Sequence, residues 1–399
     1  MRDSQTILRA CQKEAEDYYL LTIATVVLVE GSTYRRPGAR MLIFPNGRRL
    51  GSISGGCLEA DVIEHAKGVS ASGKTQFLLY NSHDSNGDLI IELGCKGAVG
   101  ILIERVREPI VSGYLNFLAQ CCKQRQTGVI ATVFRVTGVC PVGIGEHLLM
   151  SGAGSVTTDI DFAPLRFAIE ADAFTALNLL ETENKTYRFN EGTVDVLIEA
   201  VVLPISLLIC GAGYDSVPLA EGAARLGWQV SVADHQSNYL TADRFPSNVT
   251  LIETFPNKIL QSVTPDDRTV TVIMTHNAAQ DRSYLQELLP SPMRYIGLLG
   301  PRARGARLLA EIEEEGNILD SADPQHLYSP AGLDIGSETP EEIALAILAE
   351  IQTALTNGSG NSLRERHGSI HLPVQNELSS PPLSKPLIGI KREICPTSA

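Results

Sequence analysis

Positive charge is in short supply in this chain: 33 lysines and arginines face 46 aspartates and glutamates, for a formal charge of -13 at pH 7. Nonspecific nucleic-acid binding and docking on an anionic membrane both need a positive field, so neither is expected. Long apolar runs are missing too. One such uncharged run, 18–29, falls short of the about 18 residues a membrane crossing takes. Residues 1–15 are charged and lack the apolar centre of a secretion signal, which points to the cytoplasm. The eight cysteines include no Cys-x-x-Cys and keep no regular spacing, which excludes a disulfide framework and a zinc knuckle and leaves free thiols. No phosphate loop ending in Gly-Lys-Ser/Thr, no Gly-x-Ser-x-Gly elbow and no His-Glu-x-x-His occurs, and no repeat with a 20- to 50-residue period is visible.

What is present centres on 207–234. An apolar run, Leu207-Leu-Ile-Cys210, meets the turn Gly211-Ala-Gly213; an amphipathic stretch then leads to Leu226-Gly227 and a second apolar run ending in Asp234. Strand, glycine turn, helix and acid-tipped strand open a dinucleotide-type βαβ unit. The expected fold class is therefore α/β, an N-terminal α+β domain over 1–203 followed by a Rossmann-like, doubly wound parallel-sheet domain over 204–356. Strands are expected at 207–210, 229–233, 250–251, 270–274 and 294–297, with helices over 302–315 and 340–355, the latter opened by a Thr339/Glu342 capping box. In the first domain, strands are expected at 19–29, 39–44, 75–80, 88–93, 98–105, 128–135 and 145–150. Its helices are expected from Ser4 onward, from Cys57 to near Gly68, over 112–125 and over 164–182, with a closing hairpin at 185–202. The stretch 357–399, rich in Gly, Ser, Asn and Pro, cannot offset its ordering entropy and is expected to be a disordered tail.

Four stretches carry residues suited to chemistry. In the first, Gly211 and Gly213 let the backbone approach an anion at a helix start, and Asp234 is placed for a ribose diol, although Ser216 stands where a third glycine is usual. The second, 31–49, concentrates Arg35, Arg36, Arg40, Arg48 and Arg49 in an acidic chain. Arginine forks suit phosphate, and Arg35, Arg36 and Arg40 are the candidates, Arg48 and Arg49 being explained as well by a solvated hairpin. In the third, Ser54-Gly55-Gly56-Cys57-Leu-Glu59, glycines precede a helix whose positive end would stabilise the Cys57 thiolate for metal, sulfur or nucleophilic chemistry. Cys95 sits in a similar glycine loop. Cys11, Cys121, Cys122, Cys140 and Cys210 read as small buried hydrophobes. The fourth is Thr275-His276-Asn277 at a strand end, where ligands of open α/β sheets bind.

The stretches Gly31-Ser-Thr-Tyr-Arg-Arg-Pro-Gly-Ala-Arg-Met41, Gly51-Ser-Ile-Ser-Gly-Gly-Cys-Leu-Glu59, Gly211-Ala-Gly-Tyr-Asp-Ser-Val-Pro-Leu-Ala220, Thr275-His-Asn277, Tyr295-Ile-Gly-Leu-Leu-Gly300 and Ser329-Pro-Ala-Gly-Leu-Asp-Ile-Gly336 resemble, in order, the XdhC/CoxI family. The resemblance implies a molybdenum-cofactor chaperone and maturation factor rather than an enzyme. Such a protein binds and protects the cofactor, supports its sulfuration with a cysteine desulfurase, and passes it to a xanthine dehydrogenase-type molybdenum hydroxylase; it also implies a homodimer. Arg35, Arg36, Arg40, Gly55, Gly56, Cys57, Glu59, Gly211, Gly213, Asp234, His276 and Asn277 are then the cofactor-binding candidates, with Cys57 as the molybdenum contact and Cys57 and Cys95 as candidate thiols. Two departures stand out: Tyr214 replaces the family's histidine after Gly-x-Gly, and Lys96-Gly97 follows Cys95 where two glycines are common. The rival reading is an NAD(P)-dependent oxidoreductase built on Gly211, Gly213 and Asp234, with His276 as its acid. A nucleotide-sensing regulator would leave the cysteine loop unexplained.

Overall fold

A computed structural model describes residues 6, 7, 10, 20–31, 33–81, 97–106, 110–314 and 326–365. Cys11, Cys95, the strand expected at 88–93 and the tail beyond 365 lie outside the described residues.

The N-terminal half consists of two antiparallel sheets. In the first, β1 (Thr22–Gly31), β2 (Arg40–Ile43), β3 (Arg49–Gly51), helix α1 (Glu59–Ser72), β4 (Gln76–Asn81) and β5 (Gly97–Arg105) give the strand order β3-β2-β1-β5-β4. Helix α2 (Ile110–Gln124) leads to the second, where β6 (Gly128–Gly138), β7 (His147–Ser151), β8 (Val156–Thr158), α3 (Ala163–Leu179), β9 (Glu183–Phe189) and β10 (Gly192–Val201) give β8-β7-β6-β10-β9. Period-two alternation on each strand explains the layering. Ala24, Val26, Met41, Ile43 and Ile101 bury one face under α1, and Val129, Ala131, Val133, Leu148 and Val196 bury the equivalent face under α3. The opposite faces meet through Val27, Leu102, Phe134 and Leu197, so the half is a stack of helix, sheet, sheet and helix. Fully burying each such side chain stabilises by about 1.5–3 kcal/mol before chain entropy is counted.

The two sheets are copies of one βββαββ unit. At one constant offset Ile23 matches Ile130, Thr25 matches Thr132, Gly31 matches Gly138 and Arg40 matches His147; at a second, Gly97 matches Gly192 and Glu104 matches Glu199. Both copies carry a bulge at the matching residue, Val27 and Phe134. Gly38 and Gly145, at φ 88° and 90°, donate their amides to the carbonyls of Val26 and Val133, whose own amides return to Ala39 and Glu146. This is a repeat far longer than the 20 to 50 residues of solenoid units.

Helix α1 runs past its expected end near Gly68. Gly68 costs the helix about 1 kcal/mol of propensity, but Val69 beyond it is buried in the core, and the helix stops at Gly73, left-handed at φ 67°. The strand β8 was not expected; it is short and mostly exposed, so no apolar pattern marks it.

The C-terminal half is a six-stranded parallel sheet of β11 (Ser206–Cys210), β12 (Gln229–Asp234), β13 (Thr250–Glu253), β14 (Thr269–Ile273), β15 (Tyr295–Leu298) and β16 (Leu327–Tyr328), in the order β13-β12-β11-β14-β15-β16. Helices α4 (Ser216–Leu226) and α7 (Pro340–Thr356) pack on one face, and α5 (Ala278–Leu288) and α6 (Arg302–Glu314) on the other. Helix α7 opens with the expected capping box, Thr339 accepting from the Glu342 amide and the Glu342 carboxylate accepting from the Thr339 amide. Arg125, just past α2, pairs with Asp266 at 2.6 Å and donates to Gln229 at 2.6 Å and to the Pro204 carbonyl. These bonds fasten the N-terminal half to the strand-start edge of the parallel sheet. Among the described residues, no helix is long and apolar enough to cross a membrane.

Candidate functional site

Two surfaces hold the sequence-derived candidates. The first lies on the loops of the N-terminal βββαββ unit. Residues 33–39 lead into β2, and 52–58 join β3 to α1. Tyr34 brings them together: a Cβ on Gly55 would sit 3.8, 3.9 and 4.0 Å from its Cγ, Cδ2 and Cδ1 atoms, which places Gly55 beneath the ring face. The arginine loop and the Gly-Gly-Cys57 loop thus form one surface, on which Tyr34, Arg36, Gly55, Gly56 and Cys57 are exposed.

The cysteine loop is held from below. Glu59 is buried, accepts from the Ser52 hydroxyl and the Ser54 amide at 3.0 Å each, and accepts a further hydrogen bond from the Ser54 hydroxyl. Ser54 in turn accepts from the amides of Gly56 and Leu58 at 3.1 and 3.2 Å. Burial pushes the Glu59 carboxyl up, but the serine and backbone donors outweigh it and hold the carboxyl below its ordinary value. Glu59 thereby acts on the loop that presents Cys57, its carboxylate already supplied with donors. Gly56, at φ 115°, is a position that favours glycine, and nothing lies within 4 Å of its missing side chain.

Arg40 stands apart from Arg35 and Arg36. It is 3% exposed, donates to Glu199 through both terminal nitrogens and to the Gly38 carbonyl at 2.7 Å, and lies 4.8 Å over the Tyr114 ring. Its charge is committed between the two sheets. The matching position, His147, faces Glu104 at 3.6 Å, too long for a good hydrogen bond. Burial pushes Glu104 up to about 8 against the pull of Arg40, and pushes His147 down to about 4 with Arg40 adding to the effect. Arg48 lies over the Phe44 ring at 3.8 Å, in keeping with a hairpin-face role.

Of the other cysteines, Cys121, Cys122 and Cys210 are buried. Burial raises the Cys121 thiol to about 11 and the Cys210 thiol to about 12, which makes both inert near neutrality.

The second surface is the carboxyl edge of the parallel sheet, at the opposite end from the Arg125 junction. Gly211, at φ 111°, has no room for a side chain: a Cβ would come within 2.7 Å of the Met274 carbonyl. Asp234 accepts from the Ala212 amide at 2.8 Å and the Gln236 amide at 2.9 Å. The carboxylate expected to meet a ribose therefore already braces the glycine turn. Arg244 donates to the carbonyls of Ala212 and Gly213, at 2.9 and 3.0 Å, and Ser216 donates to Gly213 at 2.7 Å. His276 is 63% exposed at φ 57°, an uncommon backbone state for a non-glycine residue, and its Nε2 lies 2.9 Å from Asp215. Asn277 spends its side chain capping α5, accepting from the Ala279 and Gln280 amides. Fully buried Asp281, bonded to Thr275 and Arg304, fixes the loop from beneath.

Tyr34, Ser54, Asp215 and Arg244 were missed as site residues. Tyr34 and Asp215 lay within the quoted motifs, where an aromatic and an acid between better-known types drew no assignment. Arg244 lies 31 residues from the glycine it contacts, and no local pattern marks it.

Comparison with known proteins matches residues 21–81 to the XdhC and CoxI family and residues 207–351 to the XdhC Rossmann domain. The chain is 33% identical over 355 residues to a probable xanthine dehydrogenase subunit from Bacillus subtilis, covering 88% of this chain and 97% of that one. It is 22% identical over 351 residues to the molybdenum cofactor insertion chaperone PaoD of Escherichia coli, covering 88% of each. A crystal structure of a xanthine dehydrogenase from Bacillus halodurans superposes with a TM-score of 0.69 at 25% identity, covering 89% of this chain and 96% of that one. With both halves matched and a relative of this identity aligned nearly end to end, the chain belongs to the XdhC and CoxI family.

Proposed function

We propose that this protein is a maturation factor for a xanthine dehydrogenase-type molybdenum hydroxylase, holding the molybdenum cofactor, supporting its sulfuration by a cysteine desulfurase and delivering it to the enzyme. The observation that carries this reading is the joining of the arginine loop to the Gly-Gly-Cys57 loop through Tyr34 and Gly55. A pterin dithiolene presents a phosphate, a planar ring and a soft metal centre. Guanidinium groups suit the first, and an exposed thiol suits the last. The kinship with a molybdenum cofactor insertion chaperone supports the same assignment.

In this reading Arg35 and Arg36 meet the phosphate, while Gly55 and Gly56 leave room for close approach and Cys57 faces the molybdenum end. Glu59 keeps the loop in shape, and Arg40 contributes through the fold. The cofactor supplies the redox chemistry of the client enzyme, and this chain's residues bind, orient and shield it. The His276–Asp215 pair and the glycine turn form a second anchoring surface, which a second copy of the chain in a homodimer would bring into play.

The NAD(P) reading has less support, because Asp234, expected to meet a ribose diol, accepts from the Ala212 amide of the glycine turn. The test is activation of cofactor-free xanthine dehydrogenase by the anaerobically loaded protein. Wild type is expected to restore activity and Cys57→Ala to restore little. Full activation by Cys57→Ala removes the thiol from the account, and no activation by wild type removes the delivery role.

A further inference from the structure

Unit duplication supplies an internal control for the arginine loop. The first hairpin connections of the two units match: they are entered at Gly31 and Gly138 with φ of 77° and 79° and closed at Gly38 and Gly145 with φ of 88° and 90°. The same pair of backbone hydrogen bonds fastens each one. Their contents differ: Ser-Thr-Tyr-Arg-Arg-Pro in the first and Val-Cys-Pro-Val-Gly-Ile in the second. One backbone frame accepts both sequences, so the frame does not require Tyr34, Arg35 or Arg36. The connection from β3 to α1, which carries Gly55, Gly56 and Cys57, is longer than its counterpart from β8 to α3. One copy of the unit carries chemistry-bearing side chains at two neighbouring loops where the other does not.

Tyr34 is the member of this set that fold economy explains least. It is 72% exposed, although burying an aromatic side chain is strongly favourable. One face of its ring rests toward Gly55, at nearly equal distances to Cγ, Cδ1 and Cδ2, which leaves the outer face to solvent. Two arginines follow it in sequence, and Cys57 lies two residues beyond the glycine beneath it. We propose that Tyr34 is a stacking platform for the planar pterin ring of the molybdenum cofactor, setting the ring between the arginine loop and the Cys57 loop. This inference rests on the cofactor-binding reading and adds to it the residue that recognises the ring rather than the phosphate or the metal. A flat aromatic face tolerates any planar ring and gains from its stacking area, so recognition should follow ring area more than the tyrosine hydroxyl.

The test uses the full chain and molybdenum cofactor released anaerobically from a molybdoenzyme, with retained pterin measured as its oxidised fluorescent product and molybdate alone as control. Tyr34→Ala is expected to weaken retention by about tenfold, the scale of one ring-on-aromatic stack. Tyr34→Phe and Tyr34→Trp should stay within about threefold of wild type, a rescue that loop geometry alone would not give to the larger ring. The side chain is exposed, so all three variants should keep the wild-type melting temperature. Equal retention by Tyr34→Ala and wild type overturns the platform while leaving cofactor binding intact. Loss in Tyr34→Phe as severe as in Tyr34→Ala also overturns it, by assigning the effect to the hydroxyl. If wild type retains no more pterin than a molybdate-only control, the cofactor-binding reading falls and the platform with it.

Discussion

Replacing Glu104 by glutamine is expected to remove a loss of stability that the wild type suffers as pH rises toward 8. Burial lifts the Glu104 carboxyl from its ordinary 4.5 to about 8, so its contribution is complete below 4.5 and is lost as pH rises through 8. His147, lowered by burial from 6.5 to about 4, contributes fully above 6.5 and loses that contribution as pH falls through 4. Between pH 4.5 and 6.5 the two slopes oppose and nearly cancel. From 6.5 to about 8 Glu104 is the one of this pair that still titrates, and its slope of about 1.4 kcal/mol per pH unit amounts to about 2 kcal/mol. Both side chains are almost wholly buried, so solvent screening takes little from this figure. The assay is urea unfolding followed by circular dichroism at steps across that range, compared between wild type and Glu104→Gln. Wild type should lose about 2 kcal/mol and the variant almost nothing over the same interval. Equal slopes in the two proteins would refute the reasoning and mean that the carboxyl is already ionised between the sheets.

Arg40→Met should destabilise the N-terminal half by about 3 kcal/mol, because it strands a largely buried Glu199 carboxylate; the double variant Arg40→Met/Glu199→Leu should recover most of the loss in thermal melts. Glu59→Gln should loosen the loop that presents Cys57 and raise the rate at which a disulfide reagent modifies that thiol, with Cys57→Ser as the reference. The lowered Glu59 carboxyl stabilises above its ordinary 4.5, so the difference between Glu59→Gln and wild type should shrink as pH falls through its folded value.

The parallel sheet was legible because its signals are local and agree with one another. Apolar strand runs, the Gly211 turn, the acid at Asp234 and the Thr339/Glu342 box each mark a boundary, and the strands lie within a residue or two of the expected places, except that β13 runs longer and β16 was not foreseen. The duplication was invisible for the opposite reason. Its two copies share backbone geometry at Gly31/Gly138 and Gly38/Gly145, while the residues between those glycines have diverged, and the spacing exceeds the periods that betray solenoids. Arg40 shows the limit of reading residue type: Arg35, Arg36 and Arg40 look alike in sequence, yet strand alternation turns Arg40 inward to Glu199. Asn277 is similar, a polar strand-end residue whose side chain caps a helix. Tyr34 shows the converse, since only the three-dimensional approach to Gly55 reveals that it links the two loops.

The most direct measurement of the central claim is the molybdenum and pterin content per chain after anaerobic purification from a host that makes the cofactor. The account predicts near-stoichiometric molybdenum and pterin in wild type and a marked loss of molybdenum in Cys57→Ala. Wild type free of both, while binding NAD(P) tightly in a parallel titration, would contradict it and return the function to the Rossmann-like half.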